Sequence, residues 1–214
     1  MNKRELSIGK LRGLYSTANP EGIFNVLAFD HRQSFVRLLN PEVPESVPYG
    51  EVVQAKLEVV QSLAGHASAV LLDPEFGAAQ SILNGVLPRS TGLMVAIDET
   101  GYSGGASARL TTILKDWSVE KAKRMGCDAV KLLIYYHPDA GEITEKQDTL
   151  VRQVAETCAE LDIAFFLEPV SYSINPDVQK SSADFAAQRP QIITALTSRL
   201  CRFDPDVLKI EFPV

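Results

Sequence analysis

Three residues carry the best-defined chemistry in this sequence: Lys131, Glu168 and Lys209. Lys209 stands in the middle of Asp206-Val207-Leu208-Lys209-Ile210-Glu211-Phe212-Pro213, whose apolar residues predict a fully buried strand. Side chains alternate across a strand, so Leu208, Ile210 and Phe212 share one face, and Val207, Lys209 and Glu211 share the other. If the first face packs on helices, the second points into a barrel or cleft. A buried ammonium is costly unless it is paired or gives up its proton, and the free amine is a nucleophile toward carbonyls. The plain alternative is a structural ion pair with Glu211. Lys131 lies in the strand-like run Ala129–Ile134, and Glu168 ends the run Ala164–Glu168 just before Pro169. If the three are neighbours, the Lys131 ammonium disfavours protonation of Lys209. Glu168 can then move the protons needed to form an imine and to cleave an adjacent carbon-carbon bond.

Asp30 and Arg32 follow another strand-like run, Phe24–Phe29. Arg32 can hold a phosphate or hydroxyls that Asp30 orients, or the two can form a mutual surface ion pair. His31, His66 and His137 are scattered without zinc-ligand spacing. Asp73, Glu75, Asp98 and Glu99 could take an oxygen-ligated cation, but helix-cap and loop roles explain them as well. The expectation is a site with no metal and no cofactor. A lysine-using isomerase or a metal-dependent lyase is the alternative enzyme class. No Gly-x-Ser-x-Gly elbow or Cys/His pairing suggests a hydrolase.

The elements that must position these residues alternate along the chain. Residues 3–17 read as a short amphipathic helix or cap packed through Leu6, Leu11 and Leu14. Strands follow at 24–29, 69–72, 93–97, 129–134, 164–168 and 206–213, with Pro169 stopping the fifth. Between them come helices over about 50–65, 118–125, 142–161 and 181–200; Ser118 caps one, Gly126 ends it, and Pro190 can interrupt the last. The polar, glycine-bearing segment Thr100–Thr111 reads as a flexible surface connection or a mobile loop near a site. Short, nearly continuous apolar strands alternating with helices predict a parallel α/β architecture. Polar residues end every strand, which favours a (β/α)₈ TIM barrel over a doubly wound sheet with its ligand at a switch point. About six β/α units are present, and the sequence ends at Val214, directly after the sixth strand. The expectation is a single barrel domain over 1–214, truncated by its last two units, which leaves a non-catalytic interaction subunit as the rival to an enzyme.

At 214 residues, with 45% hydrophobic and 22% charged residues, the chain is ordinary for one globular domain. A net charge of -6 and a pI near 5.2 argue against nonspecific binding to nucleic acid or to an anionic membrane. Cys127, Cys158 and Cys201 are odd in number and lack metal-type spacing, as expected of free thiols in a reducing compartment. The charged N-terminal residues lack a secretory core, and no apolar run reaches membrane-spanning length, so the expected location is cytoplasmic.

Several segments, in order, resemble the class I tagatose 1,6-bisphosphate aldolase family. They are Leu71-Leu72-Asp73-Pro74-Glu75-Phe76-Gly77, Glu99-Thr100-Gly101-Tyr102, Asp116-Trp117-Ser118-Val119, the run from Asp128 to Tyr136, Phe165-Phe166-Leu167-Glu168 and the run from Val207 to Val214. The resemblance implies a metal-independent barrel that cleaves a ketose bisphosphate into dihydroxyacetone phosphate and glyceraldehyde 3-phosphate. It also implies Lys209 as the Schiff-base lysine, Lys131 as its neighbour and Glu168 as the proton shuttle. Asp30, His31 and Arg32 fall on the family's substrate-binding segment, with His31 where glutamine is usual. Sulfosugar phosphate aldolases share similar strand motifs, so the implied partner is a phosphorylated sugar, with homo-oligomers an option.

Overall fold

Six short apolar runs pair side by side in chain order, each parallel to the next. The computed structural model describes residues 6–213. Its strands are β1 (Val26–Phe29), β2 (Ala69–Leu72), β3 (Gly92–Ala96), β4 (Ala129–Tyr136), β5 (Ala164–Ser171) and β6 (Val207–Leu208). Its helices are α1 (Ile8–Thr17), α2 (Gln33–Leu39), α3 (Tyr49–Leu63), α4 (Ala78–Leu83), α5 (Val119–Met125), α6 (Glu142–Glu160) and α7 (Ala183–Leu200). The unbroken strand order is that of a (β/α) barrel wall and excludes the doubly wound alternative, whose order reverses at a switch point. Among the described residues, no helix is long and apolar enough to cross a membrane.

The strands divide their side chains between two faces. Val70, Leu72, Val95, Val130, Leu132, Phe165 and Leu167 point outward into the main core with Val60, Val151, Val154 and Leu196 of the helices. Ala69, Leu71, Met94, Ala96, Ala129, Ala164 and Phe166 point inward, mostly small or unbranched as the concave side of a curved wall requires. Continuing that inward period-two series past the apolar residues reaches Asp30, Asp98, Glu168 and Lys209 at the C-terminal mouth, with Lys131 one layer deeper in β4. The same alternation that builds the core therefore gathers the polar residues.

Helix α1 covers the opposite end, against β3, β4 and β5. Its buried residues are Lys10, Gly13 and Thr17, while the expected packing residues Leu6, Leu11 and Leu14 are only half-buried. Close approach is the reason: a Cβ on Gly13 would lie 2.3 Å from the Asp128 carbonyl oxygen. Residues 3–5 of the expected helix lie outside the described residues. Lys10 Nζ pairs at 2.9 Å with Asp206 Oδ2, which also accepts the Phe165 amide at 2.8 Å and so ties the start of β6 to β5.

Helix α5 starts and stops as its sequence predicts, with the Ser118 hydroxyl accepting from the Lys121 amide and Gly126 in the left-handed region. Helix α7 runs through Pro190 without interruption, and β1 begins at Val26 rather than at Phe24. Pro169 does not stop β5, which continues to Ser171. The Phe165 and Leu167 carbonyls accept from the Asp206 and Lys209 amides at 3.0 and 2.9 Å, so odd-numbered residues of β5 face β6. Pro169 is next in that series and offers no N–H on that side. Pairing with β4 is untouched, whereas β6 stops after Leu208. The following donor, the Ser171 amide, is taken by the Glu211 carboxylate at 2.6 Å.

The packing makes a simple prediction about the thiols. Cys127 and Cys158 are buried, and burial pushes both thiols up to about 12, whereas Cys201 is exposed. At about pH 8, iodoacetamide should alkylate Cys201 alone in the native protein and reach the other two only after unfolding. Mass spectrometry counts the adducts, and rapid native labelling of Cys127 or Cys158 would contradict this core.

Candidate active site

Lys131 is the centre of the mouth. Its side chain is 3% exposed, and Nζ lies 2.8 Å from Asp30 Oδ2, 3.1 Å from Glu168 Oε2 and 3.6 Å from Asp98 Oδ1. Burial pulls its pKa down, but the carboxylates of Asp98, Asp30 and Glu168 outweigh burial and hold it above the ordinary lysine range. Burial likewise works to raise the Asp30 pKa, and the Lys131 ammonium wins, leaving it below the usual carboxylate value. Asp98 goes the other way: burial raises it in spite of Lys131 and of the Leu133 amide, which donates to Oδ1 at 2.8 Å.

Glu168 connects this cluster to Lys209. Its Oε2 faces Lys131 while its Oε1 lies 2.6 Å from Lys209 Nζ. The two lysines are thus bridged by a carboxylate, which replaces the expected arrangement in which one ammonium repels the proton of the other. Lys209 also departs from the expected buried strand, because β6 ends at Leu208 and the Lys209 side chain is 52% exposed. The alternative Lys209–Glu211 pair gives way to another: Glu211 pairs with Lys180 at 2.5 Å and accepts from both the amide and the hydroxyl of Ser171. Lys209 is held at its root, where its amide donates to the Leu167 carbonyl at 2.9 Å, and at its head, by Glu168.

Lys209 borders two hollows. A polar cleft of about 360 Å³ has Asp30, His31, Arg32, Asp98, Glu99 and Glu168 in its walls. An apolar cavity of about 330 Å³ is walled by Ala28, Met94, Phe166 and Val207. His31 is exposed on the cleft wall, whereas Arg32 is buried. Arg32 Nη2 donates to the Asp98 carbonyl at 2.5 Å and lies 3.9 Å from Glu99 Oε1, while its Nε and Nη1 are buried without a hydrogen-bond partner among the described residues. The alternative of a mutual Asp30–Arg32 surface ion pair is not the arrangement, since Asp30 turns to Lys131.

The segment after β3 is a pinned hairpin rather than a loose surface connection. Antiparallel bridges join Asp98 to Ile113 and Ser103 to Leu110, and the Tyr135 amide donates to Thr111 Oγ1 at 3.1 Å. The Arg109 guanidinium lies 4.6 Å from the Tyr102 ring centre and 5.4 Å from those of Tyr135 and Tyr172. The hairpin places Thr100 and Gly101 on the cleft wall.

Comparison with known proteins places this geometry. The DeoC/LacD family aldolase profile matches residues 24–214. The chain belongs to the DeoC/LacD aldolase family. Tagatose 1,6-diphosphate aldolase of Staphylococcus aureus (strain JH9) is 35% identical over 209 residues, covering 96% of this chain. The protein of that name in strain Newman matches equally. This DeoC/LacD chain spans 63% of the length of those relatives. Its fold is similar to that of a Schiff base forming fructose-1,6-bisphosphate aldolase, with a TM-score of 0.60 at 16% identity over 94% of this chain and 70% of that one. It is also similar to an archaeal fructose-1,6-bisphosphate aldolase solved with its catalytic Lys covalently bound to the carbinolamine intermediate of the substrate. There the TM-score is 0.54 at 16% identity, over 88% of this chain and 64% of that one.

In this DeoC/LacD chain the structure brings Lys131, Glu168, Lys209 and Asp30 into one ion-paired group, with Arg32 and His31 on the same cleft. Sequence reading underrated Asp98, which follows the inward period of β3 as plainly as Glu168 follows that of β5. It also missed Lys56, which is fully buried and paired with Asp73 at 2.6 Å. A signal was present: Lys56 interrupts the apolar stripe of Val52 and Val60 at helical spacing.

Proposed function

We propose that this chain is a class I aldolase acting in the cytoplasm on a phosphorylated ketose such as tagatose 1,6-bisphosphate, releasing dihydroxyacetone phosphate and glyceraldehyde 3-phosphate. The observation that carries the reading is the Glu168 carboxylate bridging a buried Lys131 and a solvent-accessible Lys209. Family membership and 35% identity to tagatose 1,6-diphosphate aldolases support the same chemistry and that sugar.

Glu168 Oε1 takes a proton from Lys209, whose free amine attacks the ketone carbon. The carbonyl oxygen takes a proton from the attacking nitrogen to become the carbinolamine hydroxyl, Glu168 returns its own proton to that hydroxyl, water leaves, and an iminium forms. The bond between the third and fourth carbons then breaks as the fourth-carbon hydroxyl loses its proton to Glu168, and the electron pair flows into the iminium. Lys131 keeps its charge throughout and holds the Asp30 and Glu168 carboxylates in place. Asp30, His31 and Arg32 orient the substrate hydroxyls and a phosphate on the cleft wall. Reprotonation of the enamine and hydrolysis release dihydroxyacetone phosphate and regenerate the amine.

A coupled assay for dihydroxyacetone phosphate tests this. Tagatose 1,6-bisphosphate should be cleaved, and Glu168→Gln should lower kcat by about a hundredfold or more while KM moves little. An unchanged kcat in Glu168→Gln would remove the proton-transfer role, and no cleavage by the wild type of any ketose phosphate offered would remove the reading itself.

A further inference from the structure

Lys56 of α3 is fully buried, and so is its partner Asp73. Exchanging a buried ion pair for apolar residues of similar volume is often neutral or stabilising, so stability does not explain this pair. Its other contacts do. Nζ donates to the Phe29 carbonyl at 3.0 Å and lies 4.5 Å from the Phe29 ring centre and 5.5 Å from that of Phe35. The Phe29 carbonyl belongs to the peptide plane that joins β1 to Asp30, so fixing it fixes where the Asp30 side chain starts. Asp73 Oδ1 in turn accepts from the Glu75 and Phe76 amides at 2.9 and 2.7 Å, anchoring the other end of the bridge to the turn after β2. Phe29 and Phe35 pack edge to face at 4.9 Å, closing residues 29–35 around the ammonium.

We propose that Lys56, held by Asp73, is a positioning residue that sets Asp30 and, through Asp30, the Lys131 head. Its effect on catalysis rests on the aldolase reading; its hold on residues 30–36 does not. The bridge acts from behind the cleft and touches no substrate. Lys131 meets Asp30 at 2.8 Å, so a displaced Asp30 leaves Lys131 with a different carboxylate set and changes what Glu168 presents to Lys209.

Hydrogen exchange followed by mass spectrometry, together with borohydride trapping of dihydroxyacetone phosphate on Lys209, tests the proposal on the 214-residue chain. In Lys56→Met/Asp73→Asn, which removes the donor without stranding a charge, the Phe35 and Val36 amides, which donate to the Arg32 carbonyl, should exchange about tenfold faster, with β4 and β5 unchanged. Trapping by the folded protein should slow by about tenfold, and Lys56→Arg, which restores a charged donor, should recover most of both. A merely structural Lys56 would lower the melting temperature and leave the trapping rate of the folded protein unchanged. Normal protection of the Phe35 and Val36 amides in a folded double variant overturns the proposal. If that variant does not fold, the wild type decides: its Phe35 and Val36 amides, which donate to the Arg32 carbonyl, should open only with the sheet, and independent fraying overturns the bridge. A wild type that traps no ketone sinks the aldolase reading, while the exchange comparison still judges Lys56.

Discussion

Borohydride reduction in the presence of dihydroxyacetone phosphate should leave one covalent adduct, on Lys209, and Lys209→Met should lose both the adduct and at least about a thousandfold in cleavage rate. The site contains two lysines, and the choice between them follows from their surroundings. Lys131 is enclosed by three carboxylates that keep it protonated, and an ammonium has no electron pair to offer a carbonyl. Lys209 meets one carboxylate, which can accept its proton, and half of its side chain faces solvent. Peptide mass spectrometry of the reduced protein makes the assignment. An adduct on Lys131 would reverse the roles of the two lysines, and an equal adduct in Lys209→Met would show that trapping is nonspecific.

The second large effect is expected from Lys131→Met. Removing the ammonium leaves Asp30, Asp98 and Glu168 facing one another in a buried space, a situation that typically costs about 3 to 5 kcal/mol. The pH dependence identifies the cause. In the wild type the Asp30 pKa is depressed, so its contribution to stability is present above the ordinary carboxylate value and is lost as pH falls through the folded value. In the variant the same carboxyls bind protons more tightly folded than unfolded, so their contribution is present at low pH and lost as pH rises. Urea unfolding should therefore show the largest deficit near about pH 7 to 8 and a smaller one toward about pH 5. A deficit that stays constant with pH would mean lost packing of the lysine stem and no uncompensated charge.

Much of this was legible because one period served two purposes. The strands could be read from their apolar runs, and the residues ending them, Asp30, Asp98, Glu168 and Lys209, fall on the inward face by counting in twos. What counting could not give is which carboxylate meets which amine. The strand order puts Glu168 beside both lysines, yet its position between them depends on the register of β4 with β5, where Leu133 stands opposite Glu168, and on the early end of β6. The hairpin of residues 98–113 was obscured by its glycines and serines. Its anchor is Arg109 against Tyr102 of the hairpin itself and against Tyr135 and Tyr172, which are far away in sequence. Lys56 was hidden differently: a lysine within an apolar helix stripe is usually a stem lying along the surface with its head in water.

A proline in a barrel strand has a further meaning when the neighbouring strand bears a reacting amine. Along the proposed reaction the Lys209 nitrogen passes from a tetrahedral amine through a tetrahedral carbinolamine to a planar iminium, and its carbon partner swings with it at each stage. In this chain the amide of Lys209 is held by the Leu167 carbonyl, but Pro169 withholds the next rung and leaves the backbone beyond the lysine unpaired with β5. The missing rung leaves the lysine rooted in the wall through a single backbone bond, with the chain that follows it outside the ladder.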